Sequence, residues 1–256
     1  MGSKHRQLLG GLAIVAAAGL SGVAVAESGN DWPTYGADAA NTRFSKLDQI
    51  NTGNVKGLKV AWVHSLGTLE SQESTPIVIG DTMYVTSSTG PRYVFALDAR
   101  TGEKKWVYQP ELPTDFMGTV CCGLDNRGVA VADGKVFFGR LDAKLEALDA
   151  KTGKRLWTVT VADYKKGHAI TSAPLIVKDL VITGIAGGEY GIRGFVTAYK
   201  QSTGEQVWKT YTIPGPGEPG NETWKGDSWK TGAGSTWGVG SYDAKRNLVY
   251  LSLIHI

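Results

Sequence analysis

Ala96-Leu-Asp-Ala-Arg-Thr-Gly-Glu-Lys-Lys-Trp106 recurs as Ala147-Leu-Asp-Ala-Lys-Thr-Gly-Lys-Arg-Leu-Trp157 and again as Ala198-Tyr-Lys-Gln-Ser-Thr-Gly-Glu-Gln-Val-Trp208. The three segments align without gaps and stand 51 residues apart both times. An A-x-x-x-x-T-G-x-x-x-W register held at one period marks a repeat architecture. Within each copy an apolar strand runs to the aspartate position, Thr-Gly closes a turn because glycine tolerates positive φ, and a second strand ends in tryptophan. Each copy is therefore a hairpin.

Working upstream, each hairpin is preceded by further strand signals: Thr82–Thr86, Lys135–Gly139 and Leu180–Gly184, with Ser74–Ile79 and Thr171–Val177 each opening a strand at a proline. Four strands every 51 residues make one blade of a β-propeller. The fold class is all-β, with three whole blades and parts of others. Trp106, Trp157 and Trp208 read as packing wedges between blades. Leu58-Lys-Val-Ala-Trp62 reads as the outer strand of an incomplete earlier blade, of the kind that closes a ring by pairing with the last. Ser241–Tyr250 begins another blade through a turn at Asp243–Asn247. The 34 glycines and eight tryptophans suit such a turn-rich β chain.

Residues 1–26 read as a secretory signal peptide. Lys4 and Arg6 form a positive start, Leu8–Leu20 an apolar run, and Ala24-Val-Ala26 a cleavage site. The run is short for a membrane span, which needs roughly 20 residues. Export to the periplasm, with no span after cleavage, is the expectation. Without Lys4 and Arg6 the chain has 25 basic and 24 acidic side chains, so nothing in its charge favours nucleic acid or an anionic membrane. The last six residues, Leu251-Ser-Leu-Ile-His-Ile256, match the translation of a transposon sequencing adapter. Residues 27–250 are thus read as a partial propeller domain and 251–256 as a non-native tail; an ordinary apolar strand end is the other reading.

Three constellations carry chemistry. Cys121-Cys122 are poor zinc ligands, since thiolates that share a metal are usually spaced by two or more residues. They read either as a strained disulfide ring, whose sulfurs offer a flat, polarisable face to a planar ligand, or as two free thiols in a buried strand. Arg127, five residues on, has forked donors suited to carboxylates. Gly187-Gly-Glu-Tyr-Gly-Ile-Arg-Gly194 interrupts the third blade; its glycines admit close backbone approach, and Glu189 reads either as an exposed loop acid or as a hard oxygen ligand for a divalent cation. Gly232-Ala-Gly-Ser-Thr-Trp-Gly238 places one indole among small residues. The histidines at 5, 64, 168 and 255 show no metal spacing, and Asn221-Glu-Thr223 is a glycosylation sequon of low specificity.

Taken in order, Cys-Cys-x-x-x-x-Arg, Thr-x-Ala-Pro, Gly-Gly-Glu-Tyr-Gly-x-Arg-Gly, the loop Ile213–Trp229 and the Thr-Gly-x-x-x-Trp repeats resemble the pyrroloquinoline quinone (PQQ) dependent methanol and ethanol dehydrogenases, over about residues 31–250. The resemblance implies an eight-bladed propeller with PQQ near its axis. It implies that Cys121 and Cys122 form a disulfide over the quinone, and that Trp237 stacks on the other face. Glu73, Arg127 and Thr171 would bind cofactor polar groups, Gly187 and Gly188 would line the pocket, and Glu189 would ligate Ca2+ or a lanthanide ion. The implied reaction takes a hydride from a small primary alcohol to PQQ, giving an aldehyde, with electrons passed to a cytochrome c. A homodimer of the full-length form belongs to the same expectation.

The sequence departs from the family in lacking the metal-binding Asn expected soon after Tyr250 and the catalytic Asp beyond it. Ser235 also stands where many members have Thr. No catalytic residue is therefore assigned, and the 256-residue chain is expected to be inactive as written. Two rivals remain: a non-catalytic envelope scaffold built from similar repeats, which would not need the Cys pair, Arg127 and Glu189, and a PQQ enzyme for a sugar or polymer alcohol.

Overall fold

The computed structural model describes residues 31–67, 73–87 and 94–254. The signal-peptide segment lies outside that range.

Three four-stranded antiparallel sheets follow one another along the chain, each ordered as it occurs in sequence. The first is β1 (Ile77–Ile79), β2 (Thr82–Thr86), β3 (Val94–Asp98) and β4 (Lys104–Tyr108); the second β5 (Ala130–Ala132), β6 (Lys135–Gly139), β7 (Lys144–Asp149) and β8 (Arg155–Thr160). The third is β9 (Leu175–Val177), β10 (Leu180–Gly184), β11 (Phe195–Lys200) and β12 (Gln206–Tyr211), and a hairpin of β13 (Ser241–Asp243) and β14 (Leu248–Tyr250) opens a fourth. The expected propeller architecture is present in these successive blades.

The repeat motif has a structural reason at each position. Across the outer hairpins Ala96 faces Trp106, Ala147 faces Trp157 and Ala198 faces Trp208. All three alanines are fully buried, so a larger side chain would displace the indole opposite. The register then slips by one residue in every copy, leaving Lys105, Leu156 and Val207 as the extra residue of a β-bulge on the outer strand. Trp62, Trp106 and Trp157 each reach into the next repeat: Trp62 Nε1 donates to the Ala99 carbonyl (3.1 Å), Trp106 to Ala150 (3.0 Å) and Trp157 to Gln201 (3.0 Å). The Thr-Gly glycines serve two ends. They hold φ of 70° to 73°, and they form the floor under the indole of the preceding repeat. A Cβ on Gly153 would stand 2.7 Å from the Trp106 ring.

The core lies between blades. Phe137, Leu145, Val181, Ile185, Phe195 and Tyr199 fill the layer between the second and third, with Trp157 against them. Inner strands are accordingly buried on both faces, as in β7 and β11, whereas outer strands alternate or are open. On β12 Trp208 is 36% exposed, because none of the described residues supplies it with a following Thr-Gly floor.

One expectation meets a different outcome. Leu58–Trp62 is unpaired: Val60 is 80% exposed, and only Trp62 is seated, against Gly102. A strand needs an edge to pair with, and none of the described sheets offers one there. At the other end, Leu251 packs against the third blade's core and the Ile254 N–H donates to the Ser235 carbonyl (3.1 Å). No helix among the described residues is long and apolar enough to cross a membrane.

Candidate functional site

The site is organised by a backbone ladder that crosses three blades at their innermost ends. The Thr75 N–H donates to the Arg127 carbonyl (3.2 Å), and the Arg127 N–H donates to the Thr171 carbonyl (2.9 Å). Three segments distant in sequence are thereby set side by side, each just before its blade's first strand. Gly128 sits at φ 119°, and the position of a Cβ there would be 3.0 Å from the Thr75 carbonyl oxygen. Asn126, not singled out from sequence, locks the same segment. It is buried, its Nδ2 donates to the Gly139 carbonyl (2.9 Å), and its Oδ1 accepts from the Gly128 N–H (2.9 Å).

Arg127 carries the central charge. Glu73 Oε2 lies 2.5 Å from its Nη2, and the guanidinium stands 4.7 Å from the centre of the Trp237 ring. Trp237 is 39% exposed, so its indole is a flat apolar surface open to a ligand. Its position is fixed by Ser235 and Thr236, both buried. The Thr236 hydroxyl accepts from the Ile185 N–H (3.0 Å) and donates to the Phe195 carbonyl (2.8 Å). Only glycine fits at 184, where a Cβ would lie 2.1 Å from the Thr236 carbonyl oxygen. Thr171, half-buried, contributes its carbonyl to the ladder.

Cys121 and Cys122 lie in a bend, not in a strand. Their sulfurs are not joined in this structure; Cys121 is half-buried and Cys122 exposed, with Cys122 at φ 63°. Burial pushes the Cys121 thiol up to about 12, and the adjoining Cys122 thiol and the Glu189 carboxylate add to it. The Cys pair and the Gly187–Glu189 turn are therefore neighbours. Gly187 takes φ 119°, and a Cβ there would run into the Gly167 carbonyl; at Gly188 it would stand 3.1 Å from Ser235 Oγ. Glu189 is exposed at the turn. Asp125, buried between Cys122 and Arg127, was also missed from sequence. Burial raises its carboxyl above the ordinary value, Glu73 raises it further, and Arg127 opposes both.

The structure thus groups Glu73, Arg127, Thr171 and Trp237 through direct contacts, and Cys121, Cys122, Gly187, Gly188 and Glu189 around one turn. An exposed indole with an arginine over it, next to backbone that admits no Cβ, fits a planar ligand bearing carboxylates. A metal is less fully provided for. Among the described residues no group of three His, Cys, Asp or Glu side chains could hold one, and the exposed Glu189 carboxylate is the hard oxygen donor at the glycine-rich turn.

The family model described as "PQQ: Glucose/ethanol/alcohol dehydrogenase, beta-propeller domain" matches residues 32–255. The lanthanide-dependent methanol dehydrogenase of Methylacidiphilum fumariolicum is 44% identical over 239 residues, covering 86% of this chain and 39% of that protein. The quinohemoprotein alcohol dehydrogenase of Comamonas testosteroni is 43% identical over 236 residues, covering 86% of this chain and 33% of that protein. A solved europium-containing methanol dehydrogenase superposes with a TM-score of 0.84 at 42% identity, over 90% of this chain and 43% of the other. The chain therefore spans well under half the length of each.

Proposed function

The chain belongs to the PQQ family of glucose/ethanol/alcohol dehydrogenase β-propeller domains, and from that premise we propose that it forms the cofactor-holding portion of a quinoprotein that oxidises a primary alcohol to an aldehyde. The observation that carries this reading is the Arg127 guanidinium, held by Glu73 against the ring of the partly exposed Trp237. PQQ, when bound, supplies the quinone that accepts a hydride from the alcohol carbon.

This chain's residues do the holding. Trp237 offers the flat face, and Arg127 directs its N–H donors at a cofactor carboxylate or carbonyl while Glu73 keeps it oriented. Gly187 and Gly188 keep the wall low. Cys121 and Cys122, once oxidised to a disulfide, would offer the opposing face, and Thr171 a polar contact. Glu189 would give one oxygen ligand to a calcium or lanthanide ion, whose other ligands, with the catalytic carboxylate, would belong to the longer protein. A periplasmic location and transfer of electrons to a cytochrome c form part of the same proposal, supported by the signal-peptide pattern and by the relatives' kind.

The test is PQQ binding by the chain with Ca2+, followed by tryptophan fluorescence. Saturable quenching is expected. It should be largely lost in Trp237→Phe and weakened about tenfold or more in Arg127→Met, through loss of a charge-assisted bond. Absence of saturable quenching, or equal quenching in both variants, contradicts the reading. Dye reduction with ethanol is expected only from the full-length enzyme.

A further inference from the structure

A cleft of about 460 Å3 opens beside the outer hairpin of the third blade, where β11 starts at Phe195 and β12 ends at Tyr211. That is the end of the blade from which the Gly187–Glu189 turn projects, but the cleft's lining is separate from Arg127 and Trp237. Four cations line it, Lys166, Arg193, Lys209 and Lys230, against one carboxylate, Asp163. Two of the cations are already paired: Arg193 Nη2 with Glu218 at 3.0 Å and Lys230 with Asp227 at 2.8 Å.

Lys209 is different. Its ammonium stands 3.5 Å from the Phe195 ring centre and 5.1 Å from that of Tyr211, and it forms no ion pair among the described residues. Arg193 lies 4.0 Å over the other ring of this group, Tyr211, and 4.9 Å over Trp229, with its Nε bonded to the Ile213 carbonyl (2.8 Å). Aromatic faces thus hold two cations in place, and of the two Lys209 keeps a charge with no ion pair among the described residues. His168 records the resulting field. Burial lowers its pKa, its hydrogen bond with the Asp163 backbone opposes this, Lys209 lowers it further, and the opposing charge of Asp163 outweighs that of Lys166. A positively charged, aromatic-walled cleft of this size is larger than an inorganic ion needs and suits a small anion carrying an apolar body.

We propose that this cleft binds a small organic anion, whose carboxylate or phosphate meets Lys209 and Arg193 while its apolar part packs on Tyr211 and Trp229. The proposal stands apart from the quinoprotein reading, since none of these groups holds the cofactor there.

The experiment is a titration of the full chain with benzoate, and separately with inorganic phosphate, following the His168 ring resonances by NMR. Those resonances are identified by their loss in His168→Gln. Benzoate should give a saturable shift and raise the His168 pKa, because the added negative charge offsets Lys209. Lys209→Met, which keeps the alkyl stem on Phe195, should weaken benzoate about tenfold or more, and Lys209→Arg should retain it. Weaker binding of phosphate than of benzoate supports the apolar contribution. The proposal is overturned if neither probe gives a saturable shift, if Lys209→Met binds benzoate as well as the parent does, or if an acidic peptide binds there and the small anions do not.

Discussion

The wedge between the first and second blades explains why the repeat needs both its glycine and its tryptophan, and a double-mutant cycle tests that explanation. In Gly153→Ala the new Cβ would stand 2.7 Å from two carbons of the Trp106 ring, while the residue holds φ 70°. The left-handed conformation costs an L-residue about 1–2 kcal/mol. Overpacking adds about 1–3 kcal/mol, because Trp106 cannot swing away: its Nε1–H is bonded to Ala150, and Tyr84 packs on it at 5.9 Å. Trp106→Ala alone should cost about 3–5 kcal/mol through lost burial and the lost bond. In the double variant the strain remains but the clash is gone, so the combined loss should fall short of the sum by about 1–3 kcal/mol. Gly134→Ala is the internal reference. It carries a similar φ of 68° with nothing within 4 Å, so it should show the conformational cost of about 1–2 kcal/mol and nothing more. Urea unfolding followed by circular dichroism gives all four values, with midpoints shifting at constant slope. Additivity of the two substitutions within about 0.5 kcal/mol would refute the wedge.

Three further outcomes are expected. Arg140→Met should destabilise the chain by about 3–5 kcal/mol, since Asp142 and Glu146, both buried, would lose the guanidinium that each contacts at 2.8 Å; unfolding midpoints measure it, and a loss below about 1 kcal/mol would contradict it. The Thr152 hydroxyl and then its N–H hold the Asp149 carboxyl below its ordinary 3.8. A folded-state value below the unfolded one stabilises above the ordinary aspartate range and ceases to do so as pH falls through the depressed value. The stability gap between the parent and Thr152→Val should therefore be present near neutrality and close in acid, and a gap independent of pH would exclude the bond as its cause. Under reducing conditions iodoacetamide should modify exposed Cys122 well before Cys121, whose thiol burial keeps protonated. Peptide mass mapping reads the order, and oxidation should protect both together if the neighbouring sulfurs join.

How much of this the sequence disclosed follows from the range of each interaction. The hairpin repeats were readable because their determinants are local: the Ala–Trp register, the bulge and the Thr-Gly turn all fall within eleven residues. Glycine's second role, as the floor for an indole from the preceding repeat, was not, because it depends on a partner 47 residues away at Gly153 and Trp106. Leu58–Trp62 has the composition of a strand, yet pairing requires an edge that composition does not specify. The candidate site divides in the same way. Arg127, Glu189 and Trp237 stand out by chemistry in glycine-rich or cysteine-bearing contexts. Asp125 and Asn126 fall at unspecified positions of Cys-Cys-x-x-x-x-Arg, and their burial shows only in the fold. Their signal in sequence was a polar dipeptide, Asp125-Asn126, wedged between Leu124 and the apolar strand β5.

The electrostatics of the site follow from the backbone ladder joining Thr75, Arg127 and Thr171. It sets Glu73 and Asp125 beside Arg127, and the Gly187–Glu189 turn adds a third carboxylate near Cys121. Arg127 is directly paired with Glu73 alone, so the region keeps an excess of negative charge. Two groups register the excess: Asp125 is raised by Glu73 as well as by burial, and Cys121 by Glu189 and Asp125 as well as by burial. A ligand bearing carboxylates would worsen this balance if it entered alone. It would be accommodated if a cation entered with it beside Glu189, and the charge excess is the physical reason to expect the two together. Among the described residues no group of three His, Cys, Asp or Glu side chains could hold that cation, so affinity for the ion and affinity for the planar ligand should be strongly interdependent in this chain.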